Sequence, residues 1–184
     1  MADLLNLNAK ICLTAAGILI HQNKVLLVKH KKLGIWLNPG GHLEANEVPH
    51  QAAEREFWEE TSIRVRAINV GGLPRANDDS QYLPNPIVTN LHWVSEKNYQ
   101  ARFAHAKTNG TKSAQLAEPK WERGCEQHLG LVYLVEPIRS VEFKENVEES
   151  DGIAWFSREE VETIETVDNV RSEIRLAFEI LQKK

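Results

Sequence analysis

The sequence predicts an α/β fold. Apolar runs of strand length recur along the chain, a helix without internal breakers interrupts them early, and an apolar stripe at helical spacing closes the sequence. "LTAAGILI", Leu13 to Ile20, is rich in small and β-branched residues and reads as a buried strand. "VLLVKH", Val25 to His30, reads as a second, and the intervening "HQNK" marks a hairpin turn. "GIWLNPGG", Gly34 to Gly41, reads as a short strand running into a Pro-Gly-Gly loop.

"PHQAAEREFWEET", Pro49 to Thr61, follows as a helix, with proline suited to its first turn. "IRVRAINV", Ile63 to Val70, alternates apolar and polar residues as a half-buried strand does. "IVTNLHWVSE", Ile87 to Glu96, is another strand. "LGLVYLVEP", Leu129 to Pro137, is almost wholly apolar, which suits the centre of a sheet. "GIAWF" is a short strand before "SREEV", where Ser157 and Glu160 have capping-box spacing and Phe156 and Val161 that of a hydrophobic staple. Val170, Ile174, Ala177, Phe178 and Leu181 form the stripe of the last helix and read as core.

The 184 residues suit one domain, and residues 97–124, polar and basic in their first half, read as an insertion. A net charge of −4 argues against broad binding to nucleic acid or anionic membrane. Apolar runs are too short to cross a bilayer. "MADLLNLNAK" lacks the basic start of a secretory leader. Cys12 and Cys125, far apart, read as reduced thiols of a cytoplasmic protein.

The chemistry concentrates in "REFWEETS", Arg55 to Ser62. At about 100° per residue, Glu56, Glu59 and Glu60 fall within an arc of about 100° on one helix face. Like charges at i, i+4 cost a few tenths of a kcal/mol per pair. A divalent cation reverses that sign, because Mg²⁺ takes hard oxygen ligands and shares itself with substrate phosphates. Taken alone, such a cluster is more often a solvated acidic face. Ala52 and Ala53, one turn earlier, let another segment approach closely, and Trp58 points away from the carboxylates. Arg55 borders them and can offset their charge. Glycines 40 and 41 allow the backbone to come near a cation.

The longer run "GGHLEANEVPHQAAEREFWEETSI" resembles the box of the Nudix hydrolase family: Gly-x5-Glu-x7-Arg-Glu-U-x-Glu-Glu-x-Gly-U, with U a bulky apolar residue. Every specified position from Gly41 to Ile63 matches except one, where Ser62 stands for the usual glycine. "NPGGHLE" and "AWFSREEV" resemble the same family. The resemblance implies a Nudix-type α/β/α sandwich with a mixed sheet and a catalytic loop–helix–loop. It implies a Mg²⁺- or Mn²⁺-dependent pyrophosphohydrolase that cleaves a nucleoside diphosphate linked to another moiety. A nucleoside triphosphate, a nucleotide sugar or ADP-ribose, and a dinucleoside polyphosphate all qualify as such a small-molecule partner, and a homodimer is admitted.

Carried over by position, the resemblance makes Glu56, Glu59 and Glu60 metal ligands, with the Gly40 carbonyl completing a site and Glu47 bracing against Arg55. Glu59 and Arg55 thereby belong to the catalytic set. For the general base, "NVEESDGIAWF" offers Glu148 and Glu149, of which Glu149 is favoured over a solvated loop charge; Glu122 and Glu126 are further candidates. His42 sits in the glycine loop, while His128, Tyr82, Trp93 and Trp121 are weighed as substrate contacts against structural roles. A non-catalytic Nudix-fold module that senses a nucleotide is the alternative; such modules usually lose box carboxylates, and here none is lost. At Ser62 the glycine of the box would lie just past the helix end, so either serine takes a left-handed backbone or the helix ends differently.

Overall fold

β1 (Ile11–His21) and β2 (Lys24–His30) are joined by the two residues Gln22 and Asn23. Both have positive φ, 48° and 59°. Two consecutive left-handed residues are what a tight type I′ hairpin requires, and the register Ile20↔Val25, His21↔Lys24 follows from it. The computed structural model describes residues 9–100, 124–144 and 150–183. It divides into two compact units, Thr14–Val88 with Leu131–Lys184, and Met1–Leu13 with Thr89–Gly130.

In the larger unit the strand path is β3 (Trp36–Leu37), β2, β1, β7 (Gln127–Pro137), β5 (Val65–Ala67). β4 (Gly40–His42) pairs antiparallel with the first half of β1, and β8 (Ser150–Ser157) pairs antiparallel with β2. Successive strand residues serve opposite faces, as the two-residue period of a strand demands. Leu19, Leu26, Tyr133 and Val135 pack with Ala52, Ala53 and Phe57 of α1 (Pro49–Thr61) on one side. Ile18, Val25, Leu27, Val132 and Leu134 pack with Val161 of α2 (Arg158–Val161) and with Val170, Ile174, Ala177 and Phe178 of α3 (Asp168–Gln182) on the other. Helices therefore cover both faces of the sheet. The expected central strand is β7, between β1 and β5, with Val132 to Val135 all buried.

Two expectations change. "NPGG" is not simply a loop, since Gly40 and Gly41 form β4 opposite Ala16 and Ala15. The strand expected over residues 63–70 is only Val65–Ala67. It starts late because Ser62 turns the chain and Ile63 is spent filling the core under α1. The expected capping box is complete: Glu160 N–H donates to Ser157 Oγ at 3.2 Å and Ser157 N–H to Glu160 Oε2 at 2.7 Å.

The smaller unit contains most of β6 (Val88–Trp93) and the first residues of β1 and β7. Here the expectation of reduced thiols is overturned. Cys12 and Cys125 form a disulfide, with Cα atoms 5.7 Å apart, a separation at which Cys side chains bridge without moving the backbone. Their 113-residue sequence separation hid it. The bridge removes the support that reduced thiols lent to a cytoplasmic location. Among the described residues no helix is long and apolar enough to cross a membrane.

Candidate active site

α1 positions the site. Pro49 opens it after Val48, whose extended backbone offers no side-chain cap. Ala52, Ala53, Phe57 and Thr61 are buried, which turns Arg55, Glu56, Glu59 and Glu60 away from the core. Trp58 is 46 % exposed, away from the carboxylate arc as its helical phase requires. The helix ends at Ser62 with φ 62° and ψ 8°, so serine does take the left-handed conformation, and its N–H closes on the Trp58 carbonyl.

Arg55 is the hub. Its Nε donates to Glu47 Oε1 at 2.9 Å and its Nη2 to Glu47 Oε2 at 3.0 Å, a two-pronged pairing that only a guanidinium makes. Nη2 also donates to the His42 carbonyl at 2.9 Å. Nη1 reaches the other way, to Glu56 Oε1 at 2.8 Å and Glu59 Oε2 at 3.1 Å. One side chain thus ties the loop carrying Glu47, the strand carrying His42 and the acidic face of α1. The hydrogen bond from Arg55 holds the Glu47 carboxyl below its usual range, helped by the Glu44 N–H and opposed by burial. The same bond raises the Arg55 guanidinium, so both groups stay charged.

The glycines set the distance between strand and helix. Gly40 N–H donates to Glu60 Oε2 at 3.1 Å. A Cβ on Gly41 would stand 2.4 Å from the Glu56 carboxyl carbon. Nothing larger than hydrogen fits there while Glu56 keeps its place. The structure therefore gathers Gly40, Glu47, Arg55, Glu56, Glu59 and Glu60. Carboxylates outnumber the guanidinium among them, and their oxygens are the donor type a hard divalent cation selects.

Other expected residues fall elsewhere. Glu149, Glu148, Glu122 and Trp121 lie outside the described residues. Glu126 is 1 % exposed and accepts the Lys10 N–H at 2.8 Å, so its carboxylate serves the smaller unit's own backbone. His128 stacks edge-on with His92 at 5.4 Å, and burial lowers the His92 pKa. Trp93 packs edge-on to Tyr99, and Tyr82 is exposed. His42 joins the site through its carbonyl, and Glu44 through its N–H on Glu47 at 3.0 Å. Neither contact had a signal in residue type, because backbone atoms make both.

The family model for the NUDIX domain matches residues 13–126. The chain belongs to the NUDIX family. Among curated Nudix relatives, a MutT-like protein of Streptomyces ambofaciens is 36% identical over 61 residues, which is 33% of this chain and 40% of that protein. Phosphatase NudJ of Escherichia coli K12 is 43% identical over 55 residues, 29% of this chain and 36% of that protein. The chain thus matches well under half the length of these relatives. A Nudix-family hydrolase from Clostridium perfringens superposes with a TM-score of 0.63 at 23% identity, over 94% of this chain and 97% of that one. The α/β arrangement described above is therefore the Nudix fold.

Proposed function

We propose that this chain is a divalent-metal-dependent pyrophosphohydrolase acting on a nucleoside diphosphate linked to a further group. One observation carries the reading: Arg55 holds Glu47, Glu56 and Glu59 in one bonded array, beside a glycine strand pressed against Glu56. A purely structural helix gains nothing from carboxylates crowded this way, whereas a cation-binding one needs them. The name of the Escherichia coli relative, a phosphatase, supports phosphate chemistry.

The residues present fit Mg²⁺ or Mn²⁺. The donor set is all carboxylate and carbonyl oxygen, and the hydrogen-sized gap at Gly41 brings main chain against Glu56. Glu56, Glu59, Glu60 and the Gly40 carbonyl would hold the ion. When bound, it would supply charge neutralisation on the phosphates and acidify a water. Glu47 and Arg55 keep the acidic face fixed, so that little reorganisation is left to the moment of reaction. Water then attacks a phosphorus of the anhydride, its proton passes to Glu149, and the bridging oxygen leaves with the bond's electron pair. Residues 1–184 act as one Nudix domain in this reading, with 97–124 as an insertion that contributes to recognition of the linked group.

Glu59→Gln tests the metal set and Glu149→Gln the base. Turnover of nucleoside polyphosphates in Glu59→Gln is expected to fall by about 100-fold or more, as removal of a group stabilising transition-state charge does. An unchanged rate there would sink the metal assignment. An unchanged rate in Glu149→Gln would remove that residue as base and leave the rest standing.

A further inference from the structure

Beyond the exit of α1 lies a recess that the proposed hydrolysis does not use. Its volume is about 550 Å³, and it is lined by Ser62, Arg64, Ile138, Arg139, Ser140 and Glu142. That volume is in the range that takes a small organic ligand. All six residues belong to the larger unit. The recess is built where two chain segments meet: Ile138 N–H donates to the Arg64 carbonyl at 2.9 Å, and Lys144 N–H to the Thr61 carbonyl at 3.0 Å.

We propose that this recess is a second ligand site, one that takes a small phosphate ester with an apolar substituent. Three observations carry it. First, two arginines line the recess against one acidic residue, Glu142, and neither Arg64 nor Arg139 forms an ion pair among the described residues. On ordinary surfaces arginines are often scattered singly, but here two line one recess. Second, Arg64 is already placed. Its guanidinium carbon sits 5.4 Å from the centre of the Trp58 ring, a cation–π contact that narrows its conformers while leaving its N–H groups to donate. Third, Ser140 Oγ accepts the Glu142 N–H at 3.0 Å, which directs its own O–H elsewhere, and Ile138, 55 % exposed, offers an apolar wall.

The C-terminal end of a helix repels anions through its carbonyl dipoles. That objection is met locally. The Trp58 carbonyl accepts the Ser62 N–H at 2.7 Å, and the Thr61 carbonyl accepts the Lys144 N–H. Two of the terminal carbonyls of the helix are thus engaged, and the arginines supply the excess charge. Two forks also match a phosphate group's spread of acceptors better than a single carboxylate would.

The test uses the full chain in EDTA, so that no bound metal draws phosphate to the glycine strand. Inorganic phosphate and phenyl phosphate are titrated while backbone amide shifts are followed by NMR. Saturable shifts grouped at residues 62–64 and 138–142 are expected, with phenyl phosphate binding more tightly. Arg64→Ala/Arg139→Ala should weaken binding by about tenfold or more, since it removes charge-assisted donors. Arg139→Ala alone removes no ion pair among the described residues and should weaken it in part. Both variants should keep wild-type hydrolysis, so this outcome is separable from the fate of the proposed function. Absent saturation, shifts grouped instead at 40–60, equal affinity for the two probes, or affinity unchanged in the double variant would each overturn the proposal.

Discussion

Replacing Gly41 by alanine should damage chemistry while sparing the fold, and replacing Gly40 should damage the fold itself. A Cβ at Gly41 would stand 2.4 Å from Cδ and Oε1 of Glu56 and 2.6 Å from Oε2. Ordinary contact begins near 3.4 Å, so the carboxyl must retreat by about 1 Å. Glutamate can do this by rotating its side-chain torsions, at a stability cost of about 1 kcal/mol. The retreat breaks the 2.8 Å bond to Arg55 and displaces one proposed ligand. A misplacement of about 1 Å costs on the order of 100-fold in rate. At Gly40 the new Cβ would instead meet backbone: Ala15 O at 2.5 Å and Ala16 Cα at 2.7 Å. Backbone cannot swing aside, so β4 must part from β1, at about 1–3 kcal/mol. Denaturant unfolding and steady-state turnover of both variants read the contrast. Activity in Gly41→Ala within a few-fold of wild type would refute the reasoning.

Ser62→Gly should raise stability by under about 1 kcal/mol, read by denaturant unfolding, because glycine relieves the left-handed strain but gives back chain entropy and the Ser62 Oγ bond to the Lys144 carbonyl; turnover should not change. Reduction of the Cys12–Cys125 bridge should cost about 2–4 kcal/mol, seen as a fall in melting temperature with reductant that Cys12→Ser does not show. The Ser157 N–H holds the Glu160 pKa below its usual 4.5. Its contribution to stability is therefore fully present above that pH and is lost as pH falls through the lowered native value. The melting-temperature gap between wild type and Glu160→Ala should accordingly be constant in neutral buffer and narrow in acid.

Local rules made much of this chain legible. The span Pro49–Thr61 follows from a proline start and an unbroken interior, both readable in residue type, whereas the left-handed exit at Ser62 was one of two alternatives the sequence left open. The box spacing brings Glu47, Arg55 and the three glutamates together by sequence alone. What escaped depends on partners distant in sequence. Gly40 and Gly41 have poor strand propensity, yet they pair because Ala15 and Ala16 opposite them are small. Arg55 was expected to meet Glu47, but its bonds to Glu56, Glu59 and the His42 carbonyl depend on rotamers and main-chain direction. Cys12 and Cys125 carry no spacing signal, and only the approach of the starts of β1 and β7 brings them into range. The recess beyond Ser62 likewise arises where residues 62–64 meet residues 138–142.

The central claim is that the acidic face of α1 binds a divalent cation for phosphoric anhydride hydrolysis. Its most direct test is turnover of a panel of nucleoside triphosphates, nucleotide sugars, ADP-ribose and dinucleoside polyphosphates against rising Mg²⁺ or Mn²⁺, for wild type and Glu59→Gln. The account predicts saturable, metal-dependent hydrolysis of at least one compound class, abolished by EDTA and reduced about 100-fold or more in Glu59→Gln. Measurable binding without turnover at any metal concentration, or equal rates in wild type and Glu59→Gln, would contradict it.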